Sequence, residues 1–295
     1  MLAGDTRFLL RSDGDGDGTP VLLLHGVPET SSLWRDLAPA LADGRRGLAP
    51  DLPGLGGSAY TGPYDVPSLV TQLAALIETE VPGGRVDVVG HDWGGSLALG
   101  LAGARPELVR RLCVANAPYR EVPLLRAFHI PFFTLPGAPE LLFRALGRQS
   151  IDAMIGYGWK AATGLAPDLR AEYHAAYADP AKVAAMLGYY RAATRPRIAA
   201  LVGRAARPAG RPRVDAEQML VLWGAKDPVL PLRTGESVVR DLGARCRMVT
   251  VADAGHFVID EAPDVVRQVL LEFLAEAATP SARPRRLRST AAEAP

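Results

Sequence analysis

The sequence predicts an α/β fold in which a mostly parallel sheet is flanked by helices and carries a helical cap. Short apolar runs of the kind that form buried strands alternate with segments of helical spacing. A long helix-like stretch without such runs separates two of them. The 295 residues are 48% hydrophobic and 22% charged, which supplies enough apolar material for a large packed core.

The predicted strands follow one another at regular intervals along the chain. The first, Val21–Leu24, is apolar without polar alternation, as expected for a strand buried on both faces. Similar but less pure runs are Val86–Val89, Leu112–Ala115, Leu220–Trp223 and Met248–Val251. Helical spacing is found at Val66–Val81, Ser96–Ala104 and Pro263–Ala275, the last beginning with proline in its first turn.

Changes in composition indicate the domain boundaries. Residues 119–215 hold most of the large aromatic side chains and many Ala and Arg residues, and we predict that they form the helical cap. Residues 1–118 and 216–278 then form one core on either side of this insertion. Residues 279–295 are rich in Ser, Ala, Pro and Arg, a composition that cannot bury enough surface to order itself, and we expect a disordered tail.

The charge and hydropathy patterns argue against several classes of partner. Lys plus Arg number 33 and Asp plus Glu 32, so there is no basic excess of the kind that favours nucleic acid. No charge-free stretch approaches the roughly 20 apolar residues of a membrane span. The first twenty residues show no apolar secretory segment, and the two cysteines form no disulfide framework. We therefore expect a cytoplasmic protein without nucleic-acid or membrane partners, and the sequence leaves its oligomeric state open.

A glycine-rich turn after one predicted strand provides a candidate nucleophile. Residues 90–95 read Gly-His-Asp-Trp-Gly-Gly and have the pattern of a strand-to-helix turn that exposes its central side chain, here Asp92. Esterases and lipases carry serine at this position. A carboxylate that attacks an sp3 carbon leaves an ester that water can cleave, whereas serine would leave an inert ether. Asp92 therefore indicates displacement at carbon, by opening an epoxide or expelling a halide.

The turn after the first apolar strand adds a candidate oxyanion hole. His25-Gly-Val-Pro28 follows that strand, and we predict that the backbone N–H of Val27 is one donor. The second is the backbone N–H of Trp93, the residue after the nucleophile.

A late histidine supplies a candidate general base. His256 follows the last predicted strand, and its expected task is to remove a proton from the water that attacks the ester. The acid that orients it should end the preceding strand, where Trp223-Gly-Ala-Lys-Asp227 places Asp227. Nearby carboxylates that remain as alternatives are Glu236, Asp241 and Asp253.

The Asp-Gly alternation at residues 13–18 is similar to the start of a calcium loop. Such a loop needs Glu at its twelfth position, which here is Leu24 inside a predicted strand. We predict a flexible turn instead, and the sequence indicates no metal site and no cofactor.

Together these motifs resemble the α/β-hydrolase superfamily, and within it the epoxide hydrolases, with the haloalkane dehalogenases next to them. The resemblance covers roughly residues 8–278. The segments that carry it are His25–Pro28, Asp51–Ser58, Gly90–Gly95, Trp223–Asp227 and Gly255–His256. It implies a small apolar epoxide, or an alkyl halide, as substrate.

The resemblance also implies two hydrogen-bond donors in the cap that hold the epoxide oxygen. The segment around Tyr190 resembles the one that carries the second cap tyrosine. In the segment that resembles the first, His129 replaces tyrosine, and a neutral imidazole still offers one N–H. The candidates for an apolar pocket wall are Trp34, Phe128, Phe132, Phe133 and Trp159.

Two alternatives stay open. A haloalkane or haloacid dehalogenase would use the same Asp92 and grip the halide with the indole of Trp93 and a second donor. Position 27 is Val and has no side-chain donor, although Trp159 could supply one. The other alternative is a non-catalytic protein that holds a small ligand in a hydrolase cavity.

Overall fold

The computed structural model describes residues 1–41, 44–120, 122, 126–127, 129–201, 213–276 and 285–288. The strands are β1 (Leu2–Ala3), β2 (Thr6–Arg7), β3 (Leu10–Asp13), β4 (Gly18–Leu24), β5 (Arg45–Pro50), β6 (Val86–His91), β7 (Val109–Ala115), β8 (Gln218–Gly224), β9 (Cys246–Val251) and β10 (Arg285–Leu287). The helices are α1 (Ala38–Leu41), α2 (Val66–Glu80), α3 (Trp93–Ala104), α4 (His129–Phe133), α5 (Ala138–Leu146), α6 (Arg148–Gly158), α7 (Pro167–Ala176), α8 (Pro180–Leu201), α9 (Leu232–Leu242), α10 (Val258–Glu261) and α11 (Pro263–Ala275).

Within the described residues, the main sheet has eight strands in the order β10-β9-β8-β7-β6-β4-β5-β3. Every neighbouring pair is parallel except β3 and β5, which are antiparallel at the edge. Strands β1 and β2 form a separate antiparallel pair. The predicted α/β fold with a mostly parallel sheet flanked by helices is confirmed.

Both faces of the central strands are buried under helices. In β4, Leu22 and Leu24 face the core that includes α2 and α3, while Val21 and Leu23 face the core that includes α1 and α11. This division explains why the strand run is apolar without alternation. None of the helices that the structure describes combines the length and apolar character needed to span a bilayer.

Helices α4 to α8 lie between β7 and β8 in the chain, where the cap was predicted. Two hydrogen bonds from α8 attach it to the loop after β5. The Tyr189 hydroxyl donates to the carbonyl oxygen of Pro53 at 2.7 Å, and Lys182 Nζ donates to that of Ser58 at 2.6 Å.

The C-terminal segment differs in part from the expected disordered tail. Residues 285–287 form β10, which pairs in parallel with β9, and the Ala252 N–H donates to the Leu287 carbonyl at 2.7 Å. The open edge of β9 offers unpaired backbone groups, which can bind a segment of almost any composition. The prediction is therefore wrong for these three residues. Residues 279–284 and 289–295 of the predicted tail lie outside the described residues.

Candidate active site

The turn between β6 and α3 places Asp92 at the carboxyl edge of the sheet. Asp92 has φ +49° and ψ −115°, a conformation that is strained for a residue with a side chain. Glycine is needed beside it, because a Cβ on Gly94 would collide with the backbone carbonyls of Leu24 and His25. The start of α3 therefore packs closely against the end of β4.

The carboxylate of Asp92 is held in its charged form. Its Oδ1 accepts a hydrogen bond from the backbone N–H of Val27 at 3.1 Å. Burial by itself would raise the pKa of Asp92, but the hydrogen bond and charge of His256, the charge of His91 and the N–H of Trp93 lower it below the ordinary value. The two predicted oxyanion donors thus both face this carboxylate.

The imidazole of His256 lies between two carboxylates. Its Nδ1 is 2.8 Å from Asp227 Oδ2, and its Nε2 is 3.4 Å from Asp92 Oδ2. Burial lowers the pKa of His256, but Asp227 and then Asp92 outweigh burial and raise it well above its usual range. The two carboxylates therefore favour the form of the ring that is protonated on both nitrogens and positively charged.

Asp227 is fixed by a residue that the sequence did not single out. Its Oδ1 accepts the backbone N–H groups of Val229 and Leu230 at 2.7 and 2.9 Å. Its Oδ2 accepts from the amide of Asn116 at 2.6 Å, while Asn116 Oδ1 accepts from the Gly224 N–H at 3.0 Å. Asn116 follows β7 directly and has φ +41°, so a polar residue at the carboxyl end of a buried strand was the available signal.

Two buried residues next to the site, Glu29 and His91, connect the loops that carry its groups. The Glu29 carboxylate accepts from the Gly26 N–H at 2.7 Å and lies 2.8 Å from His91 Nδ1. The other ring nitrogen of His91 is 2.8 Å from the carbonyl oxygen of His256. Burial lowers the pKa of His91, but Glu29 outweighs it and the net pKa is raised. The imidazole of His91 thus donates from both nitrogens and ties the loop after β4 to the loop of His256.

Above Asp92, the space under the cap has two lobes of about 160 and 240 Å³. Asp92, His129, Tyr190 and Val229 line both. The smaller lobe adds polar groups, Ser96 and Thr194. The larger lobe is mostly apolar and adds Phe132, Phe133, Leu142, Leu146, Met154 and Phe257. The carboxylate therefore opens onto an apolar cavity with few polar groups, as is usual for small-molecule sites.

The two cap residues predicted as donors meet at the junction of the lobes. The rings of His129 and Tyr190 are in edge contact, with centroids 5.7 Å apart. Burial lowers the pKa of His129 to about 4, so this imidazole is neutral near pH 7 and has one N–H. Burial and the charge of Asp92 raise the pKa of Tyr190 well above its usual range, although a hydrogen bond with Trp93 opposes them. Both groups therefore hold a proton at neutral pH.

The predicted pocket wall is corrected at two positions. Trp34 is fully buried in the core under α1 and α11, on the side of the sheet away from α2 and α3, and lines neither lobe. Trp159 also lines neither lobe. Its ring stacks on Phe257, and its indole N–H donates to the Thr163 carbonyl at 2.6 Å. Phe132 and Phe133 line the larger lobe. Phe128 lies outside the described residues.

Comparison with known proteins places this geometry in context. The profile of the Alpha/beta hydrolase family matches residues 21–269. AB hydrolase superfamily protein YfhM of Bacillus subtilis is 30% identical over 275 residues, covering 88% of this chain and 92% of that protein. Epoxide hydrolase 4 of Mus musculus is 26% identical over 288 residues, covering 92% and 77%. A solved structure of an epoxide hydrolase from metagenomes of hot environments has a TM-score of 0.74 at 26% identity and covers 92% of this chain and 95% of that one.

Proposed function

We propose that this chain, which belongs to the alpha/beta hydrolase family and is a hydrolase, opens an apolar epoxide to a vicinal diol through a covalent ester on Asp92. One observation carries the proposal. In a single apolar cavity, the Asp92 carboxylate faces a carboxylate-bound imidazole, His256, and two cap groups that can donate hydrogen bonds, His129 and Tyr190. A nucleophile, a base for water and donors for an epoxide oxygen are the three elements this reaction needs.

In the first step, Asp92 attacks one carbon of the epoxide. Oδ1 is held by the Val27 N–H, so the attacking oxygen is Oδ2, which lies 3.4 Å from His256 Nε2. The carbon–oxygen bond of the epoxide breaks and its electron pair moves to the epoxide oxygen. Tyr190 and His129 donate hydrogen bonds to that oxygen, and a proton from this pair converts the alkoxide to a hydroxyl. The high pKa of Tyr190 keeps its proton available at neutral pH.

In the second step, water hydrolyses the ester. Ester formation removes the charge of Asp92, so His256 releases its Nε2 proton to solvent and becomes neutral. Neutral His256 then takes a proton from the water through Nε2 while its Nδ1–H remains bound to Asp227. The water oxygen bonds to the ester carbonyl carbon, and the Val27 and Trp93 N–H groups stabilise the resulting oxyanion. The oxyanion then collapses, the bond between the carbonyl carbon and the alkyl oxygen breaks, and that alkyl oxygen takes the proton of the new carboxyl group. The diol leaves and Asp92 is again a carboxylate. The proton taken up by His256 replaces the one lost by the cap, and His256 then rebinds a proton from solvent.

The charge on Asp92 couples the two steps, which gives a prediction. We expect the pKa of His256 to be lower in Asp92→Asn than in the wild type, because Asn removes the hydrogen bond and charge that help to raise it. Ester formation neutralises Asp92 in the same way, so His256 loses its proton when a base is needed. The hydrolytic step should therefore accelerate as pH rises through the lowered pKa.

An NMR titration of the ring protons checks this, and the chain has only five histidines to resolve. A pKa of His256 that is equal in both proteins would contradict the coupling.

The cap provides the test of the proposed reaction. We expect wild type to convert an internal epoxide with an alkyl arm on each carbon to its diol, and Tyr190→Phe to lower that rate about 100-fold, the scale on which one oxyanion donor acts. Tyr189→Phe is a matched control, because the neighbouring hydroxyl bonds Pro53 outside the cavity. Its rate should stay near that of the wild type. Diol formation is measured by mass spectrometry.

The same assay examines the dehalogenase alternative. The indole of Trp93 bonds Tyr190, and that of Trp159 donates to Thr163, so both candidate halide donors are engaged. We expect no chloride release from the alkyl chloride of matching chain length. Chloride release faster than diol formation, with Tyr190→Phe without effect, would overturn the proposal in favour of a dehalogenase. Tight binding of both compounds without turnover would favour a ligand-binding protein.

A further inference from the structure

A carboxylate that plays no part in the steps above joins the cap to the loop of His256. Glu261 ends α10, and its side chain is buried, with 4% of the residue exposed. Its Oε2 accepts the backbone N–H groups of Lys160 and Ala161 in the cap, both at 2.7 Å. The same oxygen accepts the N–H of Gly255 at 2.9 Å, and Oε1 accepts that of Phe257 at 3.1 Å.

These bonds enclose the candidate base. Glu261 holds the N–H groups immediately before and after His256, and the N–H of His256 itself donates to the Gly158 carbonyl of the cap at 2.9 Å. Three successive N–H groups are thus bound either by Glu261 or by the cap. The His256 loop is thus hydrogen-bonded to cap segment 158–161 both directly and through Glu261.

Two glycines make the close approach of cap and loop possible. A Cβ on Gly255 would collide with the Gly158 carbonyl oxygen. A Cβ on Gly158 would lie 2.6 Å from the Phe257 ring and 3.0 Å from the Cβ of His256. The backbone of the cap at Gly158 therefore packs directly against the backbone of the His256 loop at Gly255.

The hydrogen bonds to Glu261 stabilise its buried carboxylate. A buried carboxylate is costly unless its lone pairs are used, and four N–H donors from two segments use them. Burial raises the pKa of Glu261, and the N–H bonds to Gly255, Lys160, Ala161 and Phe257 limit that rise. A neutral amide at this position could accept with one oxygen only, so its NH2 group would face an N–H that needs an acceptor.

We propose that Glu261 is a positioning residue for His256, which makes docking of cap segment 158–161 a condition for the hydrolytic half of the reaction. This inference rests on the proposed function for its kinetic consequence, although its structural part does not. Glu261 is not among the described residues that line the two lobes. Its effect on the reaction is therefore expected to pass through the position of the His256 loop.

The kinetic test separates ester formation from ester hydrolysis. In Glu261→Gln and Glu261→Ala we expect single-turnover hydrolysis of the ester to slow about 10-fold or more, because small misplacement of a reacting group costs rates of this order. Ester formation on Asp92 should change less than 3-fold, roughly, since Tyr190 and the Val27 N–H are untouched. The ester should therefore accumulate during turnover. Glu261→Gln keeps the side-chain volume and serves if the alanine variant does not fold.

The structural test needs no substrate. Hydrogen–deuterium exchange of the peptides that contain residues 160–161 and 255–257 should be faster in both variants than in the wild type. The pKa of His256, measured by NMR, should fall, because a displaced ring lies farther from the carboxylates that raise it. Asp264→Asn is the matched control, because this carboxylate is three residues away, exposed, and paired only with Arg267 at 2.8 Å among the described ion pairs. We expect it to behave as wild type in every measurement.

The proposal would be overturned if these peptides exchanged hydrogen for deuterium as slowly in Glu261→Ala and Glu261→Gln as in the wild type. Equal slowing of ester formation and hydrolysis would also overturn it, because that result describes a general loss of the site. If wild type opened no epoxide, the proposed function would fail, while exchange and the His256 titration would still decide whether Glu261 positions that loop.

Discussion

Replacement of Asp92 by asparagine will lower the rate of epoxide opening by about 10⁴-fold or more, the scale on which loss of a covalent nucleophile acts. The amide oxygen of Asn is a much weaker nucleophile than a carboxylate, so no ester forms. Asparagine is the suitable replacement because it tolerates positive φ about as well as aspartate, and residue 92 has φ +49°. The measurement is diol formation at saturating epoxide.

The thermal unfolding of this variant is the companion measurement. We expect its melting temperature to lie within a few degrees of that of the wild type, because the strained turn is retained. Alanine at position 92 should abolish turnover equally, at a greater loss of stability. Substantial diol formation by a properly folded Asp92→Asn protein would exclude Asp92 as the attacking group.

Replacement of His256 by glutamine will stop the reaction at the ester. Ester formation needs Asp92 and the cap donors, while hydrolysis needs a base within reach of water, and His256 is the imidazole that lies 3.4 Å from the Asp92 carboxylate. After incubation with an epoxide, the intact protein should therefore gain the full mass of that epoxide, because opening the ring expels no leaving group. An alkyl halide would add only its alkyl part.

The double variant Asp92→Asn with His256→Gln is the control, and it should gain no mass. Digestion of the single variant should place the added mass on the peptide that contains residue 92. Steady turnover by His256→Gln with no detectable adduct would contradict the two-step scheme. An adduct on another peptide would show that a different side chain attacks.

The sequence predicted those parts of the site that depend on local chain geometry. The turn around Asp92 needs glycines at fixed offsets, and the buried strands need uninterrupted apolar runs, so both leave a recognisable pattern. Strand β5 was missed because it begins with Arg45 and Arg46, and only its last four residues are buried. One of these arginines binds the buried Asp87 at 2.8 Å, a contact that no local pattern indicates.

The residues that were missed act between distant segments. Asn116 and Asp227 are 111 positions apart, and Glu261 reaches Lys160 across 101 positions. Such partners carry no spacing rule, so only the folded chain identifies them. The wrong placement of Trp34 and Trp159 in the pocket wall has a related cause. Their apolar side chains predict burial, but they do not indicate which side of the sheet or of the cap the residue faces.

The two lobes that meet at Asp92 bear on the stereochemistry of the product. An epoxide that lies across the junction places one substituent in each lobe, and exchanging them presents the opposite carbon to the same carboxylate oxygen. The lobes differ in size and lining: Ser96 and Thr194 bring hydroxyls to the smaller, while the larger has several phenyl rings besides the hydroxyls of Ser150 and Tyr157. For the proposed reaction we therefore expect an unsymmetrical epoxide to bind in a preferred orientation, with the arm that is too large for the smaller lobe in the larger one. That orientation would select which carbon is inverted and which enantiomer of the diol is released.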